Sequence, residues 1–307
     1  MESFSPTKII ATMKYYSPTQ FAIFRTIFGF YLMWHFYSLI PYGPEIFGSN
    51  GMIPDPTMIP TWGIFPSFLH LFENDYVIKI FLGLLSVASF LFAAGFYRNV
   101  LSVFLWYGWV YLINRNVLIS NPGIPYVGWL LLACALIPSG EGFYFWRNKT
   151  NKTNWYMPGL IYWSAWFLMA LGYTISGLHK LQCPSWIDGS ALRHILSSLL
   201  ARDNFMTQQL LAAPNIVLQI HTWFSLMVEI LFLPLGIFYR VRKWYWMLFI
   251  VMHLGIMCLI NFTDLTLGVL MIHFFTFDNR WLNEFPFVNM NKFFCSKEKR
   301  KINPESH

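Results

Sequence analysis

Eight stretches of this 307-residue chain are almost wholly apolar, and short polar segments separate most of them. That succession restricts the fold more than any other feature. The runs are approximately 20–41, 77–97, 99–118, 122–138, 158–178, 215–239, 244–262 and 264–279. A helix that crosses a bilayer needs ~17–25 mostly apolar residues. Inside hydrocarbon the backbone must satisfy its own hydrogen bonds, which a helix does within one segment. Composition agrees: 56% of residues are hydrophobic and only 11% are charged, where a soluble domain carries about 25%. The expectation is all-α: a polytopic transmembrane helical bundle of about 8 spanning helices, seated in a lipid bilayer as one domain over 1–307. The fourth and eighth runs are short. The seventh and eighth are split only by a polar turn at 261–264, so that pair is alternatively a buried hairpin.

Charge sets the orientation. Lysines and arginines collect in cytoplasmic loops of membrane proteins. Taking the nine segments that flank the runs in order, the odd ones hold fifteen basic residues and the even ones four, with Arg25 and Lys79 in or beside runs. Both termini are therefore expected in the cytoplasm, the C-terminal one as a short basic tail over 283–307. The net charge of +7 follows from this loop bias and is not the signature of a nucleic-acid partner. The sequon-like triplets at 148–150 and 151–153 fall on the inner side, so no glycan is expected. No cleavable signal peptide is evident, because the first run carries Arg25 and His35.

Two outer loops are long. The first, about 42–76, is rich in Pro and Gly and contains an apolar piece at 62–72, too short to span and expected in the interface. The second, about 179–214, opens with HKLQCPSWIDG, in which Asp188-Gly189 reads as a turn, and continues into a short surface helix at 191–200. Of four cysteines, Cys134 and Cys258 are expected as core thiols, Cys183 stands in a loop and Cys295 in the tail. No spacing points to a disulfide framework or a metal site.

Ionisable residues within spans are costly and each is a candidate site. They are Arg25, His35, Arg115, His179, Lys180, His221, Glu229, His253, Asp264 and His273. Lys180, at the outer end of the fifth run, is either an ordinary snorkelling anchor or, when desolvated, a base or nucleophile. His253 sits near the middle of the seventh run, where it can relay protons, bind a ligand or bond a neighbouring helix. Glu229, if buried, is either neutral or paired, with Arg25 or Arg115 as the candidate partner. Asp264 marks a turn. No nucleotide-binding glycine loop, Ser-His-Asp order or pair of broken transporter helices is present.

The opening helix and its loop, FAIFRTIFGFYLMWHFYSLI followed by GSNGMIP, and above all SGLHKLQCPSWIDGSALRH at 176–194, resemble the HTTM-domain family, the membrane domain of vitamin K-dependent γ-glutamyl carboxylases. The likeness spans roughly 18–282. It implies that Lys180 occupies the position of a catalytic base on the outer face, that His253 lies near the same site, and that the ligand is a reduced, vitamin K-like quinone. Alongside them His179, Trp186, Glu229 and Arg25 are expected to bind substrate. This chain departs from the carboxylases in reading Asn121-Pro122 where they carry Asn-His, in His179 for a lysine, and in having only about 25 residues after Trp281, with no large lumenal domain. Three readings follow: a carboxylase-like or quinol-oxygenating catalyst; a non-catalytic membrane subunit or peptide-maturation factor holding a peptide or protein; and a small-solute transporter. The membrane is expected to be a bacterial inner membrane or the ER.

Overall fold

The computed structural model describes residues 16–53, 55–59, 63–65, 74–142 and 155–284. The interfacial piece at 62–72 lies almost wholly, and the sequon-like triplets, Cys295 and the basic tail wholly, outside these residues. The described elements are helices, with no strand among the described residues and an isolated bridge between Ala201 and Ile260.

Eight longer helices carry the fold. They are α1 (Pro18–Leu39), α3 (Asp75–Ala94), α4 (Arg98–Arg115), α5 (Ile124–Leu136), α6 (Gly159–Lys180), α10 (Asn215–Ile230), α12 (Tyr239–Leu259) and α13 (Thr263–Phe275). Shorter ones decorate the connections: α2 (Gly43–Phe47), α7 (Pro184–Ile187), α8 (Ala191–Leu196), α9 (Phe205–Ala212), α11 (Phe232–Gly236) and α14 (Arg280–Glu284).

Local chemistry explains the boundaries. Ser17 caps α1 by accepting from the Gln20 N–H at 3.0 Å, with Pro18 at the first helical position. Asn74 caps α3. α3 stops at Gly95, whose φ of +88° an L-side chain rarely adopts. A Cβ there would also stand 2.7 Å from the Arg25 guanidinium. The sixth run is interrupted: α10 ends at Ile230 and α11 carries Pro234, which lacks an N–H to continue the ladder. The expected surface helix at 191–200 covers only α8.

The bundle closes around α13. This helix packs against α1, α5, α6 and α12, and Gly268 through His273 are all buried. At 13 residues it is about 20 Å long, short of the ~30 Å hydrocarbon core. It is thus a core helix. α1 meets α3 closely at Gly29, where a Cβ would lie 2.6 Å from Ala93 Cβ. Small residues at such crossings let backbones approach.

By length and composition, α3 is the one described helix able to cross a membrane alone, and the bent pair α9–α10, at 109°, is a second candidate. α1, α6 and α12 are long enough, with 22, 22 and 21 residues. They carry Arg25 and His35, His179 and Lys180, and Arg240, Arg242 and Lys243, and these lower their mean hydropathy. α1 and α3 nevertheless carry apolar stripes that face outward. Ile23, Ile27, Phe30, Trp34 and Tyr37 form one exposed stripe on α1, and Ile80, Leu84 and Val87 form another on α3. Cys258, expected in the core, faces outward from α12, and Cys134 is buried on α5.

Candidate functional site

The C-terminal end of α6 meets the C-terminal end of α10, and Gly177 makes the meeting possible. A Cβ on Gly177 would fall 2.8 Å from Ile230 Cγ1 and 2.9 Å from its backbone nitrogen. One turn further along α6, the Lys180 ammonium donates to both oxygens of Glu229 at 2.6 Å. The side chains are 25% and 10% exposed. Ser176 Oγ donates to Glu229 Oε2 at 3.3 Å. The partner of Glu229 is thus Lys180, not Arg25 or Arg115.

Trp186 reaches this pair because of the turn that follows α7. Gly189 has φ +82°, the left-handed value expected from the Asp188-Gly189 pair. The loop is held by Trp223 Nε1 donating to Ile187 O at 3.0 Å and by Ser190 N–H donating to Asp188 Oδ1 at 2.8 Å. The Ser190 hydroxyl and N–H keep the Asp188 carboxyl below the usual carboxylate range. The turn lays the Trp186 ring 4.5 Å from Lys180 Nζ, in cation–π range. His179 points elsewhere: its side chain is exposed and makes no contact with this pair.

Two helical turns before Lys180, on the same face of α6, Tyr173 projects into the bundle. Its hydroxyl lies 2.7 Å from His253 Nε2 and 2.8 Å from His273 Nε2. A phenol has one proton to give, so it donates to one ring and accepts an N–H from the other. The two histidines are therefore opposite tautomers. Both Nδ1 atoms are buried without a partner. Thr174, the next residue, donates to Glu229 O at 3.3 Å and Ile230 O at 3.2 Å and accepts from Leu233 N–H at 3.1 Å, which ties the triad to the helix end that carries Glu229. Tyr173 and His273 were not singled out together from sequence. The signal was the i, i+7 spacing of Tyr173 and Lys180, which puts both on one helix face.

Arg25 belongs to a different constellation. It is 1% exposed and pairs with Glu141 at 2.8 Å, an oxygen that Arg98 also approaches at 2.8 Å. Arg98 further donates to Ile137 O at 2.8 Å, capping α5. These groups gather at the end of α5, while Lys180 is at the far end of α6, which packs on α5. Arg25 therefore does not reach the Lys180 site. Arg115 holds the segment that follows α2 through Ile53 O and Gly48 O at 2.8 and 2.7 Å. His221 is exposed and bonds Val217 O in its own helix.

Among the described residues no three His, Cys, Asp or Glu side chains converge as metal ligands. What the site holds is a charged pair at a helix end, an aromatic face beside it, and a buried hydroxyl–imidazole triad behind it. Such a set can take up and pass on protons and stack a flat head group. Comparisons with protein-family models, curated proteins and solved structures find no match to this chain.

Proposed function

We propose that the chain is a multi-pass membrane protein of the HTTM type that performs acid–base chemistry on an amphipathic, quinone-type molecule at its outer face. The observation that carries the chemistry is the Lys180–Glu229 pair, made through two 2.6 Å contacts and 25% exposed at the lysine. Lys180 becomes a base after one ammonium proton has passed to Glu229: an N–H bond breaks, an O–H bond forms, and both groups are neutral. The amine then takes a substrate proton and returns to the ammonium. Trp186 offers a face for a ring, and His253 with His273 offers a store of exchangeable protons behind the pair. A bound hydroquinone would supply the acidic hydroxyl.

The membrane reading rests on the apolar stripes of α1 and α3 facing away from the core, together with the fifteen-to-four division of basic residues. A soluble helix would present polar side chains there. In the eight-run topology α13, enclosed by its neighbours, together with the turn that follows it completes the last crossing, and both chain ends lie in the cytoplasm. Reporter fusions test it: activity of a periplasmic reporter is expected after residues 120 and 200 and not after 150 and 242. The reverse pattern refutes the topology.

The chemistry is tested by purifying the protein with native lipids and weighing the complex. A stoichiometric quinone is expected in the wild type and its loss in Lys180→Met. Absence from the wild type, or equal occupancy in both, refutes the reading. The exposed apolar tip of the second outer loop, with Leu199, Leu200, Phe205 and Met206 facing out, favours one alternative: a maturation factor that holds a peptide. Cross-linking from position 206 to a peptide in place of a quinone supports that alternative.

A further inference from the structure

A second constellation stands apart from Lys180, where α4 begins and α5 ends. There a cavity of about 380 Å³ is lined by the first turn of α4, by Gly140 and Glu141, and by Arg25 of α1. Its volume is within the ~300–1,000 Å³ typical of small-molecule sites. The helix end in it is bare. α4 has no side-chain cap and no acidic residue in its first turn. Its first main-chain bond runs from Leu101 N–H to Tyr97 O at 3.0 Å, so the N–H groups of Arg98, Asn99 and Val100 find no acceptor among the described residues.

Arg25 is the second sign of an anion site. It is 1% exposed, and its Nη1 donates to Glu141 Oε1 at 2.8 Å and to Gly142 O at 3.3 Å. Its Nε and Nη2, the two nitrogens of one guanidinium edge, are buried with no acceptor among the described residues. Such an edge matches the oxygens of a phosphate or a carboxylate. Glu141 works against an anion here. Its Oε1 takes Arg25 and is approached by Arg98 at 2.8 Å, and its Oε2 accepts from Gly140 N–H at 3.1 Å. The balance is still positive. Two guanidinium groups, which stay protonated, face one carboxyl group, so at least one positive charge is left whatever the state of Glu141. The partial positive charge of the α4 N-terminus adds to it.

We propose that this cavity binds a phosphate group, which accepts from the main-chain N–H groups at the start of α4 and is charge-paired with Arg25. Helix N-termini bind phosphate in this way because their free N–H donors and their dipole act at one place. A tetrahedral phosphate turns oxygens in several directions, which suits donors arriving from a helix end and from a guanidinium. A carboxylate offers two oxygens in one plane. Two sources carry the group: free phosphate and an anionic lipid headgroup. Tyr97 and Val100 at the rim, and Val103 one turn further along α4, are exposed and give acyl chains an apolar neighbour. The lipid source rests on the membrane reading. The phosphate chemistry does not, and the site shares no residue with the Lys180 pair.

The test uses the purified full chain and two variants of the exposed rim residue Val100. Val100→Glu puts a carboxylate in the first turn of α4, where it suits the dipole and keeps the helix but repels a second anion. Val100→Gln adds the same bulk without the charge. Calorimetry with inorganic phosphate at fixed ionic strength is expected to show saturable binding in the wild type and, within about twofold, in Val100→Gln, and binding about tenfold weaker in Val100→Glu. In a second arm the protein is taken from mixed phosphatidylcholine and phosphatidylglycerol vesicles and weighed intact. Phosphatidylglycerol retained by the wild type and lost from Val100→Glu assigns the lipid source; phosphate binding alone assigns the free ion. No binding in either arm, binding undiminished in Val100→Glu, or acetate bound as tightly as phosphate overturns the proposal.

Discussion

Replacing Tyr173 with Phe removes one oxygen and nothing else, and the structure says what that oxygen does. It closes two hydrogen bonds at 2.7 and 2.8 Å, to His253 and His273, in a fully enclosed place. Each such bond contributes about 1 kcal/mol in water-soluble proteins and ~0.6 kcal/mol, up to ~1.7, between membrane helices. Two bonds give about 1–3 kcal/mol. The two imidazoles then keep no partner on either nitrogen, since both Nδ1 atoms are already unpaired, and the upper half of that range is expected. For a chain of 307 residues the melting temperature should fall by roughly 3–5 °C. Thermal unfolding in one detergent, followed by circular dichroism, measures it. A double-mutant cycle with His273→Phe isolates the shared term, expected at about 0.5–1.5 kcal/mol. A shift under 1 °C with no coupling would refute the triad, because it would mean the hydroxyl is not engaged by either ring.

Three further substitutions probe the site and its frame. Glu229→Ala leaves Lys180 without its carboxylate in a partly screened setting and should cost about 1–3 kcal/mol, less than a fully buried pair would; Glu229→Ala with Lys180→Met should recover part of that in chemical denaturation. Gly172→Ala puts a methyl 1.9 Å from the Tyr126 hydroxyl and should cost about 1–3 kcal/mol by overpacking, which Tyr126→Phe should relieve; equal melting of wild type and Gly172→Ala would count against the α5–α6 contact. The Asp188 carboxyl is held below its ordinary value of 3.8 by the Ser190 hydroxyl and N–H. A depressed folded value means the stabilisation is present above the unfolded value and lost as pH falls through the lower, folded one. Protection of the Ser190 amide from hydrogen exchange should therefore be flat at neutral pH, fall in acid below that ordinary value, and be weaker throughout in Asp188→Asn.

Helix existence was legible in the chain because it depends on local order, the runs of apolar residues and the turn at Asp188-Gly189; the exact ends of α1 and α3, set by Ser17, Asn74 and Gly95, emerge with the structure. The candidate site was legible only one side at a time. Lys180 and Glu229 each stand out as ionisable residues in apolar surroundings, but their pairing spans 49 positions and depends on Gly177 bringing α6 against α10. Before the fold is known, Arg25 is as good a partner for Glu229. It is excluded only when Glu141, which lies just beyond the fourth run, turns out to take up both Arg25 and Arg98. Asp264 read as a turn marker for the same reason: its neighbours in sequence are polar, and its neighbours in space, Tyr31, His35 and Asn121, come from two distant segments. Outward-facing Cys258 shows the limit of run-based reasoning, since an apolar run alone does not say which face is inside.

The loop that carries α8 and α9 is fastened by main chain to the turn between α12 and α13. Arg202 N–H donates to Leu259 O and Asn261 N–H to Leu200 O, each at 2.7 Å, and the Arg202 side chain reaches Ile260 O and Thr263. Asn204 adds a bond to Cys258 O. The loop thus behaves as a clasp, and covalent continuity through residues 213 and 214 is not what holds the two parts of the chain together. A gene cut between those codons should yield two polypeptides that find one another when produced together and co-purify, with the larger piece carrying Lys180 and the smaller one Glu229.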